Sequence, residues 1–188
     1  MNMRSPVIDE LVARAQQRIF LDLGHNSLGA PGWTVMDDRQ EVDVRHDPFE
    51  LPWPLEDESV YYIRAFHVVE HLPTACLHHR ADPMLELFNE MWRVLCPGGT
   101  AWITCPHAET RAAWADPTTR RVFTEEDFSL TRREYREEHS LSLPLECDFT
   151  VAHGFVQDFA GDIIEMHISL VKGGPSWQHR VPVQPPLG

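Results

Sequence analysis

Apolar positions in this chain fall into short runs separated by polar joints that carry Gly or Pro. Ile19-Phe-Leu-Asp-Leu23 stops at Gly24. After the loop His25-Asn-Ser-Leu-Gly-Ala-Pro-Gly32, a second run, Trp33-Thr-Val-Met36, ends in Asp37-Asp38. Aromatic and branched residues in short runs bounded by Gly predict buried strands. Val60-Tyr-Tyr-Ile-Arg-Ala-Phe66 and Thr100-Ala-Trp-Ile-Thr-Cys105 predict two more, in the centre of a sheet. Between them, Glu41 to Asp47 alternates briefly and Leu51-Pro-Trp-Pro-Leu55 forms a proline-stiffened loop.

Two stretches change to the helical period. Pro6 to Arg18 places Val7, Ile8, Leu11, Val12 and Ala15 on one face, with acids early and arginines late, as a helix dipole favours. Asp82-Pro83 reads as an N-cap with Pro at the first helical position. Met84, Leu87, Phe88, Met91, Trp92 and Leu95 follow at helical spacing, and Pro97-Gly98-Gly99 is expected to stop the helix and turn the chain. Thr124 and Asp127 have the spacing of a capping box, so a short helix is expected from Glu125.

Leu145 to Val151 and Ile164 to Leu170 alternate with period two, and their short connection through Gly154 and Gly161 predicts an antiparallel pair. The whole pattern predicts an α/β fold: a Rossmann-like open, mostly parallel sheet with helices on both faces and an antiparallel last strand. One feature resists it. The joints Gly24 to Gly32 and Asp38 to Glu41 are short for parallel crossovers. Residues 1–172 are expected to form a single domain, and 173–188 an irregular tail rich in Pro and Gly.

Composition narrows the function. The formal net charge of -13 repels phosphate backbones and argues against general nucleic-acid binding. Arg120, Arg121, Arg132, Arg133 and Arg136 are interleaved with acids, so a solvated charged face is expected rather than a basic patch. Cys76, Cys96, Cys105 and Cys147 lack metal-site spacing and are expected to be reduced thiols of a cytoplasmic protein. No signal peptide or membrane-spanning run is expected.

Asp22 is out of place in a core strand, and Asp37 closes the second run. Acids at the carboxyl ends of strands in open α/β sheets can bridge ribose hydroxyls. In order along the chain stand Leu21-Asp-Leu-Gly24, Pro31-Gly-Trp33, Val35-Met-Asp37, Asp43-Val-Arg-His-Asp47, Leu51-Pro-Trp-Pro-Leu-Glu-Asp-Glu-Ser59, His67-Val-Val-Glu-His-Leu72, Glu90-Met-Trp-Arg-Val-Leu-Cys-Pro-Gly-Gly99 and Asp116-Pro-Thr118. This series resembles the class I S-adenosylmethionine-dependent methyltransferases, in particular a small, type 11-like group with a short first loop ending in Pro-Gly-Trp.

The resemblance implies S-adenosylmethionine (SAM) as cofactor and S-adenosylhomocysteine (SAH) as product. It implies that Asp22, Gly24, His25 and Asn26 border the methionine part, that Asp37 bonds the ribose, that Asp47 and Pro48 border adenine, and that Phe66 lines the methyl-donor site. The expected reaction is a metal-independent methyl transfer to a small-molecule or sugar-like acceptor. His67 and His107 are candidate general bases, with Asp116 a third. His25-Asn26 departs from the Cys-Gly that members usually carry there. That departure, with Tyr61 standing where members often carry Asp, motivates an alternative, a protein of this fold that has lost catalysis and serves as a binding or assembly subunit. His67-Val-Val-Glu-His71 also matches the His-x-x-Glu-His letters of inverted zinc peptidases, but Pro73 closes the segment and it follows a strand-like run. No metal is expected. Oligomeric state and the identity of the acceptor are left open by the sequence.

Overall fold

The computed structural model describes residues 18–24, 31–39, 41–74, 82–157 and 163–173. The expected helix over Pro6 to Arg18 falls outside these residues apart from Arg18. The loop carrying His25 and Asn26, Cys76, His78-His79, Gly161 and the tail beyond Gly173 lie outside them as well.

Among the described residues seven strands form one sheet: β1 (Ile19–Leu23), β2 (Thr34–Asp37), β3 (Val44–Arg45), β4 (Val60–Phe66), β5 (Leu95–Cys105), β6 (Phe149–Gln157) and β7 (Ile163–Lys172). Their order is β3-β2-β1-β4-β5-β7-β6. The first five pair in parallel. β7 runs antiparallel to both β5 and β6. The mostly parallel sheet with a reversed last hairpin is the expected one. The short joints on the β3 side are accommodated because β2 spans four residues and β3 two.

One face of the sheet is apolar throughout. Leu21, Leu23, Ile63, Ala65, Ala101, Ile103, Met166, Ile168 and Leu170 are buried there. Helix α1 (Pro83–Val94) supplies Leu87, Phe88, Met91 and Val94 to the same core. Its start is fixed as the sequence implied: Asp82 accepts a bond from the Met84 N–H at 2.9 Å, with Pro83 next in line. Burying each large side chain of this core contributes about 1.5–3 kcal/mol. The opposite face carries Tyr62, Arg64, Phe66 and Trp102, all half-buried. Among the described residues the remaining helices are short: α2 (Ala112–Ala115), α3 (Glu125–Ser129) and α4 (Arg133–Glu138). At the start of α3 the Thr124 N–H and hydroxyl both donate to Asp127 Oδ2, at 2.8 and 2.9 Å. Among the described residues no helix is long and apolar enough to cross a membrane.

Two boundaries differ from expectation. The helix ends at Val94, but β5 already begins at Leu95, so Pro97-Gly98-Gly99 makes its turn, with Gly98 at φ +82, as an irregular stretch inside the strand. There the β4–β5 register shifts, and a Cβ on Gly99 would stand 2.9 Å from the Cys96 carbonyl oxygen. Glycine lets an irregular stretch of backbone stay packed in the sheet. Secondly, β6 begins at Phe149 rather than Leu145. The side chain of Asn89 on α1 accepts from the Glu146 and Cys147 N–H groups and donates to the Pro144 carbonyl. These side-chain bonds engage backbone groups that a strand ladder would use. Cys96, Cys105 and Cys147 are free thiols, all buried.

Candidate functional site

The carboxyl ends of β1, β2, β4 and β5 form one rim. Ligands of open α/β sheets bind at this rim, where the strand order reverses. The reversal here falls between β1 and β4.

Gly24 follows β1 with φ +83, and its N–H bonds to the Met36 carbonyl at 3.1 Å. A Cβ there would meet Val68 Cγ2 at 2.8 Å. The chain thus has a bare backbone at the end of β1, held beside the turn that follows β4. Asp37 closes β2 and is buried. Arg39 donates to its Oδ1 twice, from the backbone N–H at 3.0 Å and from Nε at 2.9 Å. Burial pushes the Asp37 carboxyl up, but the bonds from Arg39 and Asp38 outweigh it and hold the carboxyl below its usual range. Asp47 accepts from the Phe49 N–H at 2.9 Å, and the Pro48 carbonyl accepts from the Trp53 indole at 2.9 Å. These bonds hold the turn after β3 in place. Phe66, at the end of β4, packs edge-on against Trp102 with centroids 4.6 Å apart.

Asp22 has a different setting. Both its oxygens bond to Arg64 on the neighbouring strand, and Arg64 also lies 4.5 Å from the Trp33 ring. This pair accounts for an acid inside β1 without any ligand.

The candidate bases separate sharply. His67 adopts φ 53, a left-handed conformation that costs a non-glycine residue energy and clusters at functional sites. Its Nδ1 lies 3.0 Å from Glu70 Oε1 and its Nε2 2.9 Å from Glu165 Oε2. The bond to Glu70 raises the His67 pKa most. Partial burial opposes this, the charge of Glu70 and the contact with Glu165 add to it, and the result is about 9. Both ring nitrogens face carboxylates, so His67 is an imidazolium at neutral pH and has no lone pair to take a proton. His107 is buried. Its Nδ1 accepts from the Glu109 N–H at 3.3 Å, and its Nε2 lies 3.4 Å from Glu125. It too is already bonded on both sides.

The sequence suggested His71 only as a metal ligand, yet it has the arrangement of a base. It sits in the 3-10 turn Val69–His71. Its Nδ1 lies 3.3 Å from the Thr118 carbonyl and 3.2 Å from the Thr118 hydroxyl. That hydroxyl donates to Asp116 Oδ1 at 2.6 Å, so its proton is committed. Nδ1 must then carry the hydrogen, which leaves the lone pair on Nε2, for which no partner exists among the described residues. The sequence signal was Asp116-Pro-Thr118 itself, an Asx-type turn able to orient a nearby imidazole. His67 and His71 bond in different directions, so they do not form the helical metal pair that the His-x-x-Glu-His letters suggest. Among the described residues no group of His, Cys, Asp and Glu could hold a metal ion.

The arginine-rich segment is occupied internally. Arg121 bonds the Pro73 carbonyl and Asp82, and Arg136 bonds the carbonyls of Leu130 and Cys147. Arg132 and Arg133 pair with Glu134 and Asp148, and Arg120 bonds the Pro117 carbonyl. A cavity of about 780 Å³ lies at the other end of the strands, lined by Glu58, Arg93, Glu146 and Lys172 among others. Its cations are already paired, Arg93 with Glu90 and Asp57, and Lys172 with Glu58. It is also remote from the rim where the sheet can bind ligands, so we place the site at the rim.

No family model and no curated protein matches the chain. Solved structures do. A SAM-dependent methyltransferase from Archaeoglobus fulgidus superposes with a TM-score of 0.56 at 15% identity, over 89% of this chain and 95% of that one. The Haemonchus contortus phosphoethanolamine N-methyltransferase 2, in complex with S-adenosyl-L-methionine, gives 0.52 at 13% identity, over 89% of this chain and 53% of that one. The N-methyltransferase NodS from Bradyrhizobium japonicum gives 0.51 at 11% identity, over 89% and 94%. The strand order and these likenesses establish the class I methyltransferase fold.

Proposed function

We propose that this chain, built on the class I methyltransferase fold, is a SAM-dependent methyltransferase that acts on a small-molecule acceptor without a metal. The observation that carries this reading is Gly24. Its positive φ turns the chain at the switch point, against Val68 and next to the buried Asp37. Such a cradle fits a cofactor whose methionine part lies against the main chain and whose ribose meets an acid. Gly24, Asp37, Asp47, Pro48 and Phe66 would hold SAM, and His25 and Asn26 are proposed with them. When bound, SAM supplies a methyl group on a positively charged sulfur. The Pro31-Gly-Trp33 joint supports the small, type 11-like group, and the charge and cysteine pattern support the cytoplasm.

The protein's share of the work is alignment and proton removal. Holding two reactants in line is worth roughly 7–11 kcal/mol. We assign proton removal to His71 Nε2, because its Nδ1 is tied to Thr118 and the bonded rings of His67 and His107 cannot serve. Calorimetric titration with SAH tests the reading: saturable binding, weakened in Asp37→Ala by about tenfold to a hundredfold, is expected for a charged acceptor lost from the site. Absence of saturable binding would overturn it.

One observation favours the second reading, a catalytically silent binding or assembly subunit. Arg39 engages the Asp37 carboxylate through both its backbone N–H and its Nε, where a ribose would have to bond. Under that reading SAH binds only after Arg39→Ala releases Asp37. Under the enzyme reading the wild type binds unaided.

A further inference from the structure

We propose that Glu70, Glu165 and His67 form a seat for an ammonium group, so that the methyl acceptor is a primary or secondary amine. The assignment rests on the methyltransferase reading and names the substrate class of that same site.

Position comes first. His67 follows β4, and its N–H bonds to the Thr104 carbonyl on β5 at 2.9 Å. Glu165 lies on β7 next to Met166, which pairs with Cys105, the last residue of β5. The seat therefore stands over the ends of β4, β5 and β7, while Gly24 stands over β1 on the other side of β4. Neighbouring strands are about 4.8 Å apart, so a donor over β1 and an acceptor over β4 and β5 lie side by side.

The second observation is an acceptor without a donor. Glu70 is 3% exposed; its Oε1 meets His67, and its buried Oε2 has no hydrogen-bond partner among the described residues. A buried charged oxygen left without a donor is costly. His167 Nε2 is buried too and lies 2.7 Å from Glu165 Oε1, with no aligned hydrogen bond among the described residues. In front of these groups, the side chains of His67 and Glu165 are 39% and 27% exposed, which gives a ligand its approach.

Charge decides the class of ligand. Glu70 and Glu165 bring two carboxylates to the single imidazolium of His67, and Glu70 Oε2 has no donor among the described residues. Cys105 adds no charge, because burial, followed by the charges of Glu70, Glu165 and Asp127, pushes its thiol up and keeps it protonated. An anionic acceptor would be repelled. An alcohol would bring one donor and no charge. An ammonium brings several N–H donors and a positive charge, and bonds of this kind are about twice as strong as neutral ones.

The test uses the whole chain with labelled histidine rings, followed by NMR at constant ionic strength. Methylammonium chloride, methanol and sodium acetate are titrated separately, each with and without SAH. Saturable shifts of the His67 and His167 rings with methylammonium alone are expected, weakened at least tenfold in Glu165→Gln. Glu70→Gln is run beside it and should weaken binding similarly. Glu165→Gln, being partly exposed, keeps the test open should Glu70→Gln fail to fold. Linear, unsaturable shifts with methylammonium, or saturation by acetate instead, would overturn the seat. SAH binding alongside such a result would leave the methyltransferase reading standing. Absence of SAH binding would overturn that reading and, with it, the acceptor assignment.

Discussion

The methyl groups of Val68 occupy the space that a side chain on Gly24 would need: a Cβ there would lie 2.8 Å from Val68 Cγ2. Gly24 also has φ +83, so substitution meets two separate penalties, contact and conformation. Gly24→Ala is expected to destabilise the fold by about 1–3 kcal/mol and to abolish SAH binding. Adding Val68→Ala should relieve the contact but not the conformation, and so recover only part of the loss. Chemical denaturation with SAH titration of both variants checks this. Full recovery in the double variant would show that φ at this position carries no cost.

Asp22 and Arg64 make a second linked pair. Asp22 is 1% exposed and depends on Arg64 for its charge balance. Removing one partner of a buried pair leaves the other uncompensated and costs about 3–5 kcal/mol, whereas replacing both by apolar groups is often neutral. Arg64→Met should therefore be severely destabilising, and Asp22→Leu with Arg64→Met should recover most of the stability. SAH affinity in a folded double variant is expected to match the wild type. A loss of affinity there would return Asp22 to the cofactor site.

The contrast between these two acids shows what could be read from the sequence. β1, β2, β4, β5 and α1 were legible because their hydrophobic periods are local, and Asp82-Pro83 and Thr124 with Asp127 mark helix starts by short-range chemistry. Asp37 was legible as the last residue of an apolar run. Asp22 was legible as an anomaly, but its partner lies 42 residues away, and no local pattern names Arg64. The start of β6 was hidden for the same reason, since Asn89, more than fifty residues earlier, takes up the backbone groups of 146 and 147. His67 read as a base because histidines near strand ends often are; its clamp depends on Glu165, 98 residues on. His71 was obscured by the letters around it, which point to a shared metal on a helix that does not form.

The clamp on His67 has a pH signature. Its folded pKa of about 9 lies above the unfolded value of about 6.5. The contribution to stability is therefore fully present below about pH 6.5 and is lost as pH rises through about 9. The stability difference between wild type and His67→Gln should shrink across that window. The ring proton of His67 should titrate near pH 9 in the wild type and lower in Glu165→Gln. A ring that titrates near pH 6.5 would mean that the carboxylates do not hold it.

His71 carries the last prediction, and its geometry can be checked before any acceptor is known. The Thr118 hydroxyl gives its proton to Asp116, so His71 Nδ1 must be the hydrogen-bearing nitrogen. Nitrogen NMR on labelled histidine should find the Nδ1–H form dominant for neutral His71, against the Nε2–H form usual for an unconstrained histidine side chain. Thr118→Val keeps the carbonyl but removes the hydroxyl that joins His71 to Asp116, so the Nδ1–H preference should weaken without vanishing. In transfer assays with methyl-labelled SAM and a panel of primary amines, His71→Gln should lower turnover by about a hundred- to ten-thousand-fold, the usual range for a general base. SAH affinity should not change if His71 acts on the acceptor, as proposed. His67→Gln should act differently, by removing a cation that competes with the amine for Glu70 and Glu165 rather than by slowing proton removal. Turnover that survives in His71→Gln would remove it as the base. An unchanged pH profile in that variant would do the same, because the limb governed by a base must disappear with it.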